Sequence, residues 1–305
     1  MLGPGVYPAS VTPFDEKGRI DNVAMAKLLA WFAAAGCRGV VLAGTNGEGP
    51  SLSAVEKRDL IRDAKPLAGN LELILGIATP SLDEAIWLSK RSEEFGASAV
   101  LVMPPYYFRT ASEAGIRDWF MRFLDASPSP VLAYNFPRMT GITLSAELLG
   151  ELGGHPQCAG LKDSSGDPGN LVPFRQAMPS EKVLFVGDER LLLDALRAGW
   201  TGTISGAANV VPEWLSVIVE RWYGGAREDA EVKFEILAPV IEAIRSLSQP
   251  PANKAVLHRL GVLDRRTMRP PLTECPDGAL EGLIALIQDR LGTKCGYPPD
   301  PSNAD

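Results

Sequence analysis

The sequence predicts a (β/α)8 TIM barrel that is followed by a C-terminal helical extension. Eight short β-rich runs each precede a longer amphipathic run, an alternation that is typical of a parallel sheet covered by helices. The β-rich runs are almost continuously apolar, as expected when both faces of a parallel strand are buried. A doubly wound open sheet is the competing interpretation, and the count of eight units disfavours it.

The predicted strands recur along the first two thirds of the chain. In order they are residues 5–11, 39–44, 71–77, 98–104, 130–136, 158–163, 182–188 and 202–207. Helical patterns fill the intervals, for example at residues 21–36, 81–96 and 112–127. Ser53 with Glu56, and Ser81 with Glu84, have the spacing of a capping box at a helix start. Helix ends are predicted at Gly36, Gly96 and Gly199.

About 80 residues follow the eighth unit, and their pattern is helical at 229–248, 251–261 and 277–292. We therefore expect a barrel over residues 1–225 and a C-terminal helical region over 226–293. The last stretch is rich in proline and polar residues, which predicts a disordered tail at 294–305. We expect the helical region to be an appendage of the barrel and not a second functional domain.

Composition and charge exclude several classes of protein. A formal net charge of −7 argues against a nucleic-acid partner. No apolar run reaches the ~18 residues of a membrane helix, and the first residues have no signal-peptide pattern. Four scattered cysteines predict reduced thiols and a cytoplasmic location, and only two histidines argue against a metal site.

Lys162 is the first candidate catalytic residue. It stands at the C-terminal end of the sixth apolar run, "CAGLKD", and active sites of such barrels lie at that end of the strands. The other nine lysines lie in predicted helices, in loops or, like Lys182, at a strand start. Burial would lower the pKa of such an amine, and a neutral amine attacks a ketone to form a Schiff base. The competing interpretation is an ion pair between Lys162 and Asp163 or another rim carboxylate.

Two other strand ends support the catalytic interpretation. Tyr134 ends the fifth run, next to the sixth strand, where its phenol can carry protons to and from a substrate. The competing interpretation is a core tyrosine whose hydroxyl has a hydrogen-bond partner. The second run ends in "GTNGEG", whose glycines free backbone N–H groups beside the Thr45 hydroxyl and predict a small cradle for a carboxylate. The spacing of these glycines does not match a dinucleotide-binding fingerprint or a P-loop. Tyr106 and Tyr107 follow the fourth run and are expected at a rim or an interface.

Taken together, these strand ends resemble the dihydrodipicolinate synthase / N-acetylneuraminate lyase family of class I aldolases. The similar strings are "GTNGE", "PPYYF", "YNFPRMTG", "GLKDSSGD", "FVGDE" and "GTISGAANVVP", and they cover about residues 5 to 290 in the family's order. The resemblance implies pyruvate as the shared substrate or product, with no metal or organic cofactor. It also implies a homotetramer that is built as a dimer of dimers.

The resemblance also implies roles for individual residues. Lys162 would form the Schiff base, and Tyr134 would be the proton shuttle. Thr45 and Tyr107 would complete a hydrogen-bonded relay, and in the family this tyrosine often comes from the neighbouring subunit.

The substrate-binding residues follow from the same resemblance. The backbone amides around Thr45 and Asn46 would hold the pyruvate carboxylate. The carbonyl of Ile204 and the turn at Gly187 would line the pocket.

Two departures from the synthases of this family bear on the second substrate. The synthases resemble "YNVPxRTG", with an arginine for the carboxylate of aspartate semialdehyde, but here Met139 holds that place and Arg138 lies one residue earlier. The synthase string "GTTGE" is replaced by "GTNGE", which is similar to the 4-hydroxy-2-oxoglutarate aldolases and some sugar-acid aldolases. Because an amide both donates and accepts hydrogen bonds, the Asn46 side chain could bind a hydroxyl or a carbonyl of the substrate.

The sequence therefore predicts a Schiff-base pyruvate aldolase. The expected substrate is a 4-hydroxy-2-oxo acid, such as 4-hydroxy-2-oxoglutarate or a 2-keto-3-deoxy sugar acid, and the aldehyde or keto acid released is small. A 4-hydroxy-tetrahydrodipicolinate synthase, which condenses pyruvate with aspartate semialdehyde, is the second interpretation. A dehydratase of the same family and a catalytically silent barrel that senses a metabolite are also compatible with the sequence.

Overall fold

Eight parallel strands form the centre of the molecule, in a computed structural model that describes residues 2–292. The strands are β1 (Gly5–Pro8), β2 (Gly39–Leu42), β3 (Glu72–Ile77), β4 (Ala99–Val102), β5 (Val131–Asn135), β6 (Cys158–Asp163), β7 (Val183–Val186) and β8 (Gly202–Ser205). From β2 to β8 each strand pairs with the next one along the chain, and β8 pairs with β1. A parallel bridge between Ala9 and Val41 joins β1 to β2 and brings the two edges of the sheet together. The prediction of a (β/α)8 barrel is confirmed.

Helices cover the outside of this barrel. They are α1 (Asn22–Ala34), α2 (Ala54–Ala64), α3 (Leu82–Glu94), α4 (Glu113–Ala126), α5 (Pro137–Thr140), α6 (Ala146–Gly153), α7 (Leu171–Ala177), α8 (Leu192–Arg197), α9 (Pro212–Tyr223), α10 (Arg227–Ser246), α11 (Pro251–Arg259) and α12 (Glu281–Leu291). The short helix α5, directly after β5, has no counterpart in the sequence prediction. Among residues 2–292, no helix combines the length and the apolar character that a membrane span requires.

The predicted helix boundaries are largely confirmed. Ser53 caps α2 in a complete capping box: Ser53 Oγ accepts from Glu56 N at 3.2 Å, and Glu56 Oε2 accepts from Ser53 N at 2.9 Å. Ser81 caps α3, but its box is half formed because the Glu84 carboxylate accepts from Thr79 Oγ1 at 3.2 Å instead. The three predicted helix-ending glycines, Gly36, Gly96 and Gly199, have left-handed φ values of 73°, 74° and 81°.

Alternating strand residues divide the core into two layers. Side chains that face inward fill the barrel, among them Tyr7, Val41, Ile74, Leu101, Leu132, Phe185 and Ile204. Their neighbours face outward and pack under the helices, among them Val40, Leu42, Leu73, Leu75, Val100 and Leu161. Because successive side chains of a strand point to opposite faces, this alternation fixes which polar residues can reach the inside of the barrel.

The C-terminal helices pack directly on the barrel. Leu237 and Ile241 of α10 and Val256 of α11 belong to the same apolar core as the outward-facing strand residues. The predicted tail, 294–305, lies outside the described residues. Cys37, Cys158 and Cys275 are free thiols.

Candidate active site

Lys162 lies inside the barrel, near the C-terminal end of β6. The register pairs Lys162 with Tyr134 of β5 and with Phe185 of β7, and both of these neighbours belong to the apolar barrel interior. Only 5% of the Lys162 residue is exposed. The strand therefore places one amine among apolar walls at the end of the barrel where the carboxyl ends of all eight strands meet.

The neighbouring carboxylate, Asp163, faces the opposite side of the strand from Lys162. Asn135 Nδ2 donates to Asp163 Oδ1 at 2.7 Å, and Ser165 Oγ donates to Asp163 Oδ2 at 2.7 Å. Burial raises the pKa of Asp163 against the effect of these hydrogen bonds. Within residues 2–292, no carboxylate lies within ion-pair distance of Lys162 Nζ, so the structure does not support the ion-pair interpretation.

Tyr134 and Gly187 are in direct contact with Lys162. Lys162 Nζ lies 4.3 Å from the centroid of the Tyr134 ring, and the Tyr134 hydroxyl accepts a long hydrogen bond, 3.5 Å, from Ser164 Oγ. A Cβ atom on Gly187 would lie 3.0 Å from Lys162 Cε and 2.0 Å from Ser164 Oγ. A larger residue at position 187 would displace the side chains of Lys162 and Ser164.

The loop after β2 supplies backbone donors. Hydrogen bonds from Glu48 N to Thr45 O, at 3.2 Å, and from Gly49 N to Gly44 O, at 3.0 Å, hold the loop in a tight turn. Within the described residues, the N–H groups of Thr45 and Asn46 donate to no protein acceptor, and both residues are half-buried. Thr45 and Tyr134 also line one small cavity of about 20 Å³. The loop thus has the free donors that a carboxylate cradle needs.

Ile204 and Tyr107 differ in their relation to this site. The Ile204 side chain is fully buried in the barrel interior, in the same apolar cluster as Tyr134. Tyr107 is 75% exposed, packs edge-on against Phe108 at 5.4 Å between ring centroids, and does not line the cavity of Thr45 and Tyr134. Within one chain the structure does not bring Tyr107 to Lys162.

Arg138 and Met139 both lie on the helical turn α5. Successive helix residues project roughly 100° apart, so the two side chains cannot occupy the same direction. Arg138 is exposed, Met139 is 46% exposed, and no carboxylate of residues 2–292 pairs with Arg138.

The sequence interpretation missed a set of contacts from the C-terminal helices to the barrel mouth. Lys254 of α11 is 1% exposed and forms an ion pair with Glu48 of the β2 loop, at 2.5 Å between Nζ and Oε1. Burial lowers the pKa of Lys254 to about 8, against the opposing charge of Glu48. On the same helix, Asn253 Nδ2 donates to Asn46 Oδ1 at 3.0 Å. No local sequence pattern indicates such contacts, which join residues about 200 positions apart.

The acidic residues after β7 are also tied to a C-terminal helix. Arg245 of α10 donates to Glu189 Oε2 at 2.8 Å and to Asp188 Oδ2 at 2.9 Å. Burial acts to raise the pKa of Asp188, but the hydrogen bonds from Arg190 and the charge of Arg245 outweigh it and lower that pKa. Both carboxylates therefore have internal partners and hold α10 against the barrel.

The arrangement around Lys162 suits a small 2-oxo acid. The amine can attack a ketone carbon, the free N–H groups of the β2 loop can bind the adjacent carboxylate, and the Tyr134 phenol can exchange a proton. Ser164 was also missed, although its position two residues after Lys162 predicts the same inward direction.

Comparisons with known proteins show the family of this chain. A family model described as the dihydrodipicolinate synthetase family matches residues 3–290. A 4-hydroxy-tetrahydrodipicolinate synthase of Gluconobacter oxydans is 33% identical, and the alignment covers 93% of this chain and 95% of that protein. An uncharacterized DapA-like lyase of Chloroflexus aurantiacus is 32% identical, with 93% and 96% of the two chains covered.

A solved structure has the same fold over nearly its whole length. It is the chloride-inhibited dihydrodipicolinate synthase of Acinetobacter baumannii complexed with pyruvate, with a TM-score of 0.89, 28% identity and coverage of 95% of this chain and 99% of that one. This chain belongs to the dihydrodipicolinate synthetase family, and it is a carbon–carbon lyase of the class I aldolase type, which forms a lysine Schiff base with pyruvate.

Proposed function

We propose that Lys162 is the Schiff-base lysine and that the enzyme cleaves or forms a 4-hydroxy-2-oxo acid. The observation that carries this proposal is the position of Lys162: buried at the mouth of the barrel, without a carboxylate partner in the described chain, and 4.3 Å from the Tyr134 ring centroid. The complex of the Acinetobacter relative with pyruvate supports pyruvate as the keto acid.

In the cleavage direction, Lys162 Nζ attacks the C2 ketone of the substrate. Tyr134 gives its proton to the departing hydroxyl, so that water leaves and a protonated imine remains. Tyr134 takes the proton of the C4 hydroxyl, and the C3–C4 bond breaks. The electron pair of that bond moves into the imine to give a pyruvate enamine, and the C4 carbon leaves as an aldehyde.

The second half of the reaction regenerates the enzyme. Tyr134 returns its proton to C3 of the enamine. Water then hydrolyses the protonated imine to release pyruvate and the neutral amine of Lys162, and the proton set free returns to Tyr134. The N–H groups of Thr45 and Asn46 hold the carboxylate of the keto acid throughout, while Gly187 leaves space beside Lys162 and Ile204 lines the pocket.

The choice of an aldolase over the synthase rests on the residues beyond the ketone. Met139 stands where the synthases are expected to have the arginine that binds the carboxylate of aspartate semialdehyde, and Arg138 projects in another direction on α5. Asn46 supplies an amide near the pocket instead of a second threonine. These two differences support a 4-hydroxy-2-oxo acid as the substrate.

One observation favours a second candidate function. The Gluconobacter relative is named 4-hydroxy-tetrahydrodipicolinate synthase, and it is 33% identical over nearly the whole chain. If this chain is such a synthase, the same pyruvate enamine would attack the aldehyde of aspartate semialdehyde, with Arg138 turned toward the pocket.

A direct comparison of substrates separates these candidates. We expect pyruvate release from 4-hydroxy-2-oxoglutarate to exceed condensation of pyruvate with aspartate semialdehyde by at least about tenfold in kcat/KM, as expected when one charged hydrogen bond is missing. The measurement is product mass, with 2-keto-3-deoxy sugar acids as further substrates. A reversed preference would establish the synthase, water loss without an aldehyde would establish a dehydratase, and no turnover despite a pyruvate adduct would establish a sensing barrel.

In this proposal, Tyr107 of one subunit acts in the active site of the neighbouring subunit. Its side chain is 75% exposed beside the exposed Phe108, so a second copy of the chain could receive the pair. The phenol would then complete the relay with Thr45 and Tyr134 of that copy, in an oligomer that is built as a dimer of dimers.

Mixing two inactive variants tests this assignment. Tyr107→Phe and Lys162→Ala are each expected to lose activity, but subunits mixed by unfolding and refolding together should regain part of it. The reason is that a subunit with Lys162 then receives Tyr107 from its neighbour. The control is each variant refolded alone. If Tyr107 acts within its own chain, no site in the mixture contains both residues and no activity returns.

A further inference from the structure

A cluster of three side-chain amides lies between the β2 loop and the end of β8. Asn253 of α11 is fully buried and donates through Nδ2 to Asn46 Oδ1, at 3.0 Å, and to the backbone carbonyl of Gly206, at 3.1 Å. A Cβ atom on Gly206 would lie 2.8 Å from Asn46 Nδ2 and 2.3 Å from Gln249 Oε1. Asn46 and Gln249 thus meet above Gly206, and a larger residue there would displace both amides.

The hydrogen bonds fix the direction of two of these amides. The carbonyl of Gly206 can only accept, so Asn253 must present its NH2 group to it. The same NH2 group donates to Asn46, so Asn46 must turn its own carbonyl toward Asn253. The Asn46 NH2 group is therefore directed away from Asn253, toward the space above Gly206.

Asn253 keeps this arrangement at a cost in stability. Its Oδ1 is buried and has no hydrogen-bond partner among the described residues. An unpaired buried acceptor is destabilising, and native proteins keep few of them. An apolar residue of similar size would avoid the unpaired acceptor, but it would also release Asn46.

The ion pair next to Asn253 holds the helix in place. Lys254 binds Glu48, which lies two residues after Asn46 in the same loop, and Lys254 Nζ also donates to Thr267 O at 2.7 Å. Two neighbouring residues of α11 thus bind the β2 loop, Asn253 at Asn46 and Lys254 at Glu48. A site supported in this way is held close to one geometry, which is the requirement for selective binding.

We propose that Asn253 is a specificity-determining positioning residue, which directs the Asn46 NH2 group into the pocket so that the enzyme selects an aldehyde bearing a carboxylate. This inference rests on the proposed function of Lys162. In an eight-stranded barrel β2 lies opposite β6, so Asn46 stands across the mouth from the amine. Its backbone N–H faces the carboxylate of the keto acid, whereas its side chain extends toward Gly206 at the end of β8, where the proposal places the aldehyde half of the substrate.

The donors at this position suit a carboxylate without any arginine. Asn46 offers its NH2 group, and the half-buried Gln249 amide, which makes no hydrogen bond within residues 2–292, is able to turn its NH2 group toward the same point. Hydrogen bonds from neutral donors to a charged acceptor are stronger than those to a neutral one. A hydroxyl in the same place would gain less from two donors.

Glyoxylate and glycolaldehyde are a matched pair of probes, because they differ only in carrying a carboxylate or a hydroxymethyl group beside the aldehyde. The reaction is condensation with pyruvate, and the readout is the ratio of kcat/KM for glyoxylate to that for glycolaldehyde. We expect Asn253→Leu to lower this ratio about tenfold, mainly through the KM for glyoxylate. Asn253→Asp should lower the ratio further. Its carboxylate would accept a hydrogen bond from the Asn46 NH2 group, so the Asn46 amide would turn its carbonyl, instead of its NH2 group, toward the pocket.

Two further variants keep the inference falsifiable. Asn46→Ala must lower the ratio by itself, and it tests the amide even if an Asn253 variant does not fold. The double variant Asn46→Ala/Asn253→Leu must be no worse than Asn46→Ala, because Asn253 acts through Asn46. The inference would be overturned if Asn253→Leu or Asn46→Ala left the ratio unchanged, with equal losses of kcat/KM for both aldehydes. It would also be overturned if the double variant lowered the ratio by the combined effect of the two single variants.

A pyruvate adduct separates this failure from a failure of the proposed function. Each variant is treated with pyruvate and borohydride, and the adduct at Lys162 is measured by mass. If the adduct forms but the ratio does not respond, the role of Asn253 is wrong and the role of Lys162 stands. If the wild-type protein forms no adduct, the proposed function is wrong, and the inference falls with it.

Discussion

Lys162→Ala is expected to lower kcat/KM for the cleavage of 4-hydroxy-2-oxoglutarate by at least about 10³-fold. The substitution removes the amine that forms the covalent bond to the substrate, and no other described residue replaces it at the end of β6. The loss corresponds to at least about 4 kcal/mol of transition-state stabilisation. Steady-state kinetics of pyruvate release measure it.

Lys182→Ala is the matched control for Lys162. Lys182 directly precedes β7 at the opposite end of the barrel, and it donates only a long hydrogen bond, 3.5 Å, to the carbonyl of His155. We expect its activity to stay close to that of the wild type. Lys162→Met, which fills the space of the lysine stem, guards against a loss caused by a cavity. Appreciable turnover in both Lys162 variants would contradict the account.

Tyr134→Phe is expected to lower kcat by about 10²- to 10⁴-fold, the contribution typical of a general acid–base. The ring that contacts Lys162 stays in place, and only the hydroxyl that exchanges the proton is lost. The imine with pyruvate should still form, so the variant is expected to keep its borohydride adduct while turnover falls. Stopped-time mass measurement of the adduct and steady-state kinetics together measure this split.

Tyr7→Phe is the control for Tyr134. Tyr7 is the other tyrosine in the barrel interior cluster, and its hydroxyl donates to Glu72 Oε2 at 2.6 Å, near the N-terminal end of the strands. Removing that hydroxyl is expected to lower stability but not kcat. Near-normal turnover in Tyr134→Phe, or a loss of turnover that the control shares, would show that the phenol is not the proton carrier.

The strand ends are the part of the molecule that the sequence predicts well. Parallel strands bring their carboxyl ends together, so polar residues that terminate separate apolar runs must meet at one mouth. Lys162, Tyr134 and Gly187 meet in this way in the structure. Alternation along the strand also decides between Asp163 and Tyr134 as the neighbour of Lys162, because residues 162 and 163 face opposite sides.

The contribution of the C-terminal helices could not be predicted in the same way. The hydrogen bond between Asn46 and Asn253 joins residues 207 positions apart, and the helical pattern of α11 specifies only which face is apolar. Where that helix docks depends on long-range packing and on the buried pair of Lys254 and Glu48. The expectation of a simple appendage took no account of these polar contacts with the barrel mouth.

The exposure of Tyr107 marks a second limit. A tyrosine after a strand could lie over its own barrel or project toward a neighbouring chain, and the local sequence is the same in both cases. Its 75% exposure in the single chain favours the second arrangement.

Trapping the covalent intermediate tests the central claim most directly. The folded protein is incubated with pyruvate and borohydride, digested, and mapped by peptide mass. The account predicts that the peptide containing Lys162, and no other lysine peptide, gains the mass of a carboxyethyl group. A folded protein that gains no such mass, or that gains it at a different lysine, would contradict the account.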